Sequence, residues 1–272
     1  MHILAKNTRF VVFHVGKEVL HHYLPLMQVG QAALEATNPG AHYVVLTDAE
    51  TAPELEKDFH VEVLAPPERP LMYQYIAAQA AYEKKAKPGL VVLAATDCVA
   101  NRDLSSALKH NMAVTYRFRK KDSHRLVNNV AYIEDHDRGA WFLDRALDEL
   151  EKINKEGYKE WWGDQLAWQN ALGPVSTWEK LDDNGLRVAK PEGRWIHLYP
   201  CVTHNYFNKF SGAMSATSED AYMLHFKGSR KRFMVEAVSW HILGRRTAAG
   251  VKKPSWKLNK LLGKRSPSTP GE

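Results

Sequence analysis

The segment AYMLHFKGSRKRF, residues 221–233, sets His225 at the end of an apolar run and then crowds Lys227, Arg230, Lys231 and Arg232 around Gly228. An imidazole can ligate a metal or hydrogen-bond an anion, and Lys and Arg are natural partners of phosphate oxygens. Cations at the start of a helix oppose its dipole, a conflict that vanishes when an anion is bound there. The plainer reading is a solvated basic turn after a strand. A second segment, LAATDCVANRDL at residues 93–104, delivers Asp97 at the end of another apolar run. The chemistry suggested by the pair is the holding of something doubly negative.

Such side chains need elements that carry them to one place. RFVVFHVG (9–16) and AHYVVLTD (41–48) are β-branched and aromatic runs closed by turn residues, with a helical stretch at 18–37 between them. In that stretch Val19, Tyr23, Met27 and Leu34 fall at near-helical spacing, and Pro25 is expected to kink or start the helix. HVEVLAP (60–66) reads as a third strand, 70–87 as a helix, and GLVVLAATD (89–97) as a strand covered on both faces. Strands alternating with helices imply an α/β fold, a mostly parallel sheet with helices on both sides. Ligands of such sheets gather at the carboxyl ends of the strands, where this chain places His14, Gly16, Lys17, Asp48 and Asp97. Taken singly, each of these polar residues reads equally well as a cap or loop residue.

After residue 110 the pattern gives strands at NMAVTYRF (111–118) and RLVNNVAYI (125–133), then an amphipathic helix at 137–154. WWGDQLAWQNAL (161–172) starts another helix, with Asp164 in a first turn that suits a carboxylate. GRWIHLYPCVTHNYF (193–207) is a strand and loop, and DAYMLHF (220–226) a last strand.

Lys and Arg outnumber Asp and Glu by 37 to 31, a modest excess concentrated after residue 226, so an extended nucleic-acid surface is not expected. Cys98 and Cys201 have neither metal-type spacing nor a disulfide framework, and no apolar run is long enough for a signal peptide or a membrane span. These features fit a cytoplasmic protein with one domain over 1–246 and a basic tail over 247–272. SWKLNKLLGKR in that tail could touch an anionic membrane surface.

Taken in order, the motifs resemble the GT-A glycosyltransferases, and among them family 8. LVVLAATDCVANRDL is similar to that family's strand, D-x-D motif and R-D-L, with Ala95 in the first acidic position and Asp97 in the second. NNVAYI is similar to its N-x-G-V segment, with Asn128 matched and Val130 where glycine is usual. GDQLAWQNAL resembles the D-Q segment through Asp164 and Gln165, and LYPCVTHNYF the segment ending in Asn205 and Tyr206. HFKGSRK resembles H-x-x-G-x-x-K through His225, Gly228 and Lys231.

The resemblance implies a GT-A, Rossmann-like fold and transfer of a sugar from a nucleoside-diphosphate donor, a UDP-sugar foremost, to a saccharide or other hydroxyl acceptor. Retention of anomeric configuration is implied with it. His14, Gly16, Asp48, Asp97, Asn128, Gly228 and Lys231 become donor-site candidates, Asp164 and Gln165 the catalytic candidates against the sugar. Asp97 and His225 become ligands for Mn2+ or Mg2+. With Ala95 one acidic ligand is missing. Either the ion is held by Asp97, a distal ligand and water, or the site works on the protein's own cations. Two other readings are an inactive nucleotide-sugar-binding relative, suggested by Ala95, and a sugar-phosphate nucleotidyltransferase, whose Gly-rich loop the single glycine of FHVGKEV does not supply. Trp161 and Trp162 could stack on an acceptor sugar or pack against the sheet.

Overall fold

A computed structural model of the 272-residue chain describes residues 7–117, 127–155, 163–207 and 220–244. The strands are β1 (Arg9–Phe13), β2 (His42–Thr47), β3 (His60–Val63), β4 (Val91–Ala94), β5 (Cys98–Ala100), β6 (Met112–Tyr116), β7 (Val127–Ile133), β8 (Glu179–Lys180), β9 (Arg187–Ala189), β10 (Ile196–Pro200), β11 (Tyr206–Phe207) and β12 (Met223–His225). The helices are α1 (Leu20–Thr37), α2 (Ala52–Leu55), α3 (Leu71–Lys85), α4 (His136–Lys155), α5 (Gly163–Leu172), α6 (Cys201–His204) and α7 (Met234–Ala237).

Nine strands form one sheet in the order β3-β2-β1-β4-β7-β6-β10-β9-β8. All but β7 and β9 run the same way, as the pairings of β1 with β2 and β4, β2 with β3, and β10 with β6 require. The sheet is thus the mostly parallel, mixed one that the alternation of strands and helices implies.

Alternate strand residues point to opposite faces, and the two cores follow that period. Val11, Val44, Leu46, Val91 and Leu93 face α3, α4 and α5 through Ile76, Phe142, Leu143 and Trp168. Phe10, Val12, Tyr43, Val45, Leu90 and Val92 face the other way, onto Leu20, Met27 and Leu34 of α1. Each such side chain, fully buried, contributes roughly 1.5–3 kcal/mol. Helix α1 runs through Pro25 instead of beginning there; a single 3-10 turn, Lys17–Val19, precedes it.

Two features were not visible in the sequence. A second sheet, β11-β12-β5, places β12 antiparallel to the short strand that directly follows Asp97. Beyond β12 the chain continues as a 3-10 segment (Gly228–Phe233), α7 and π-helical turns (Val238–Leu243). Phe226, Met234, Val238 and Ile242 of this stretch pack on Leu26, Val29 and Ala33 of α1, forming a third core. That packing fixes the basic segment beside the carboxyl ends of the central strands. Among the described residues no helix is long and apolar enough to cross a membrane. Trp161, Trp162 and the tail from 247 lie outside the described residues.

Candidate functional site

Strand β1 exits into His14 and Gly16, β2 into Asp48, and β4 into Ala95, Thr96 and Asp97, so the parallel arrangement brings four of the sequence-predicted residues to one edge. At the first exit, the Gly16 N–H donates to Asp48 Oδ2 (3.2 Å) and to Thr51 Oγ1 (3.2 Å). Thr51 returns its own N–H to Asp48 Oδ1 (2.7 Å) and its hydroxyl to Oδ2 (3.0 Å). Partial burial works against the Asp48 carboxylate, but the bonds from Thr51 and Gly16 outweigh it and hold the acid below its usual range. Its oxygens are engaged in tying two loops together. Gly16 has φ of 93°, where a side chain is strained, and a Cβ there would lie 2.8 Å from Glu18 Oε1.

The second exit carries the charge. Pairing of β5 with β12 sets Cys98 opposite His225, and the Phe226 N–H donates to the Asp97 carbonyl (2.8 Å). His225 Nε2 then lies 3.2 Å from Asp97 Oδ1, and Lys231 Nζ 3.4 Å from Oδ2. Asp97 and His225 are only 5% and 7% exposed, so neither charge could persist there without the other. The other ring nitrogen of His225, Nδ1, is 3.2 Å from Asn205 Oδ1, and Asn205 Nδ2 donates to Thr115 Oγ1 (3.3 Å). Each ring nitrogen of His225 thus has an oxygen beside it.

Electrostatics follow this geometry. Burial favours a neutral Asp97, yet the adjacent His225 and Lys231 overcome it and hold the acid well below the usual carboxylate range. Burial also opposes the charged ring of His225, which Cys98 and Asp97 nonetheless push up. For Lys231, desolvation is outweighed by Asp97 and Tyr23, and the amine is raised. Tyr23 joins the two exits: Lys231 Nζ lies 4.9 Å from its ring centroid and the His14 ring 5.2 Å. His14 is buried, its Nε2 has no hydrogen-bond partner, and desolvation lowers its pKa despite Asp48 nearby.

Gly228 has φ of 67° and open space where a Cβ would stand, so the backbone conformation, not a close neighbour, calls for glycine. Lys227 and Arg232 are exposed and Arg230 half-buried, and among the described residues no carboxylate pairs with any of the three. Arg102–Leu104, the R-D-L frame, is structural: Asn38 bonds the Arg102 carbonyl (3.0 Å) and the Leu104 N–H (2.6 Å), and Asp103 caps the turn through Ser105.

Asp164 and Gln165 open α5 on the sheet face that holds α4. Asp164 is 8% exposed and accepts the Gln165 N–H (2.8 Å), while Gln165 Oε1 is buried without a hydrogen-bond partner. Tyr75 links the regions electrically: burial first, then Asp164 and more weakly Cys98 and Asp97, raise its phenol. Asn128 lies in β7, and its side chain is outside the described part.

Could these residues hold Mn2+ or Mg2+? Single ligand atoms from Asp97, Cys98 and His225 lie within 4.8 Å of one another, all buried. Hard cations prefer oxygen ligands, part of them water and substrate phosphate, whereas the protein offers here one carboxylate, one imidazole and one soft thiol. Both oxygens of that carboxylate face side-chain nitrogens, and Ala95 stands where the resemblance to family 8 would put a second acid. The donor set does not fit a hard divalent ion. Cys98, Tyr23 and Thr51 were missed as members of the site. Only Thr51 left a local signal, a hydroxyl three residues after Asp48, which is the spacing of a side-chain-closed turn.

No protein-family model and no curated protein matches the chain. Among solved structures it is similar to the glycosyltransferase GlyE of Streptococcus pneumoniae TIGR4, with a TM-score of 0.52 and 13% identity over 91% of this chain. The apo form of the same enzyme gives 0.51 and 13% over 92%. The chain has a GT-A-like glycosyltransferase fold. It spans 66% and 65% of those two chains, and at this identity the likeness is one of fold.

Proposed function

We propose that the chain is a glycosyltransferase that takes a sugar from a nucleoside-diphosphate donor, a UDP-sugar foremost, and passes it to a hydroxyl acceptor. The observation that carries the reading is the cation pair, His225 and Lys231, held on Asp97 at the strand ends of a GT-A-like sheet. In glycosyl transfer the bond between the anomeric carbon and the diphosphate breaks, and negative charge grows on the departing phosphate. An enzyme accelerates this step by stabilising that charge more in the transition state than in the substrate. Lys231 is a preorganised donor for such a group, and His225, whose ring nitrogens face Asn205 and Asp97, adds positive charge behind it. Asp97 is a positioning residue in this scheme, since it acts through both of them.

His14 and Tyr23 line the approach from β1, where the nucleotide would lie, and Gly16 with Asp48 shapes that loop. Asp164 and Gln165 are assigned to the sugar side, where a carboxylate and an unpartnered amide oxygen can orient hydroxyls or face a developing oxocarbenium ion. Retention of configuration is part of the proposal through the family 8 resemblance.

Ala95 favours one second reading, a binding protein that holds nucleotide sugars without turning them over. Incubation with a panel of nucleotide sugars, with and without saccharide acceptors, distinguishes the two by chromatography of released nucleoside diphosphate. Release from at least one donor that Lys231→Ala suppresses supports the enzyme. Retained nucleotide binding with no release from any donor supports the binding protein.

A further inference from the structure

We infer that the diphosphate site is built to work without a divalent cation, its positive charge coming from Lys231 and His225, both clamped on Asp97. The inference rests on the glycosyltransferase reading and concerns how that same site neutralises its ligand.

Three observations carry it. First, the two oxygens of Asp97 are each committed to a side-chain nitrogen, His225 Nε2 at 3.2 Å and Lys231 Nζ at 3.4 Å. A metal ion bound by this carboxylate would have to displace one of those groups, then sit beside an ammonium that repels it. Second, the position that could supply another carboxylate holds Ala95, and the nearest remaining donor is the buried thiol of Cys98, a soft ligand unsuited to Mg2+ or Mn2+. Third, both ring nitrogens of His225 are already engaged, Nδ1 3.2 Å from Asn205 Oδ1 and Nε2 3.2 Å from Asp97 Oδ1, so a metal would have to break one of these contacts.

The same cluster serves an anion well. The Lys231 side chain is 32% exposed, and an ammonium anchored at one side by a carboxylate can still present hydrogens outward. Lys227, Arg230 and Arg232, none paired with a carboxylate among the described residues, add positive potential along the same segment. Asp97 thereby changes role, from the metal ligand that the resemblance implies to the counter-ion that holds two cations in place.

The test is calorimetric titration of the full chain with uridine diphosphate and with inorganic pyrophosphate, once in EDTA and once in excess Mn2+, with free Mn2+ followed by electron paramagnetic resonance. The expected result is equal affinity in the two buffers, no depletion of the free Mn2+ signal by the protein, and a loss of roughly tenfold or more in both buffers for Lys231→Gln. Affinity that rises tenfold or more with Mn2+, accompanied by depletion of the signal, overturns the inference while leaving the glycosyltransferase reading in place. Undiminished binding by Lys231→Gln in EDTA also overturns it. Failure of both ligands to bind in either buffer overturns the inference and the reading together.

Discussion

Lys231 Nζ and His225 Nε2 approach the same carboxylate, that of Asp97, at 3.4 Å and 3.2 Å, so one buried anion holds two cations at the end of β4. The three charges depend on one another, and removing the anion should release both partners.

Asp97→Asn is therefore expected to change the titration of a histidine. In the wild type His225 is raised and its Cε1–H resonance should stay at the protonated position through neutral pH. In the variant Cys98 is left alone against burial, and the ring should titrate lower than in the wild type. The signs for stability differ on the two sides. Asp97, depressed on folding, contributes above 3.8 and loses that contribution as pH falls through its lowered value. His225, raised, contributes fully below 6.5 and loses that contribution as pH rises through its elevated value. Proton NMR with denaturation at several pH values reads both, and an unchanged His225 titration in the variant would refute the clamp.

The loop tied by Asp48 gives a prediction about coupling. Asp48→Ala and Thr51→Ala each remove bonds that the other also makes, so their costs, about 1–2 kcal/mol singly, should sum to more than the double variant loses. Gly16→Ala should cost about 1–3 kcal/mol because its φ of 93° strains any side chain. Urea denaturation measures all four proteins. Strict additivity of the first two would mean that Asp48 serves a ligand instead of the loop.

Far from this edge, Glu83 of α3 is buried against α4, with Oε2 2.8 Å from His136 Nδ1 and Oε1 without a hydrogen-bond partner. Burial raises its pKa despite His136 and Arg9. A raised acid contributes stability that is complete below its unfolded value, near 4.5, and is lost as pH climbs through the folded value. Glu83→Gln should accordingly gain on the wild type as pH rises above 4.5, the gain levelling off once pH has passed the raised folded value, read as a higher Tm of the variant. Parallel stability curves for the two proteins would show that Glu83 does not titrate in this range.

Asp164→Ala and Gln165→Ala separate binding from turnover. If these residues face the sugar, transfer should fall by about a hundredfold while affinity for uridine diphosphate stays within about twofold. An equal loss of nucleotide affinity would place them in the diphosphate site instead.

Much of the fold was legible because its central strands are short apolar runs with turn residues at their ends. The edges of β1, β2 and β4 and the helices α3, α4 and α5 follow from period and punctuation alone. Cys98–Ala100 was not legible as a strand: its three residues continue an apolar loop, and only a partner far along the chain makes them β. For the same reason Asp97 could be matched to a metal motif but not to Lys231, because the distance between them is set by tertiary pairing. Asp48 was ambiguous for the opposite reason. Its local chemistry, a carboxylate at a strand end, is the same whether it meets a ligand or a backbone N–H, and only the closing of the β1 loop over Thr51 distinguishes them.

The small sheet that joins β5 to β12 also bears on when the site can come into being. Asn101 Nδ2 bonds the Ala221 carbonyl across 120 residues of chain, and His225 arrives at Asp97 through the same contact. During synthesis the βαβ units of the first half can pack as they emerge, but Asp97 must wait for the last described strand before either cation reaches it. A nascent chain stalled before β12 would hold a largely formed sheet whose Asp97 still lacks both cations. Charge neutralisation at this edge is thereby a late step of folding.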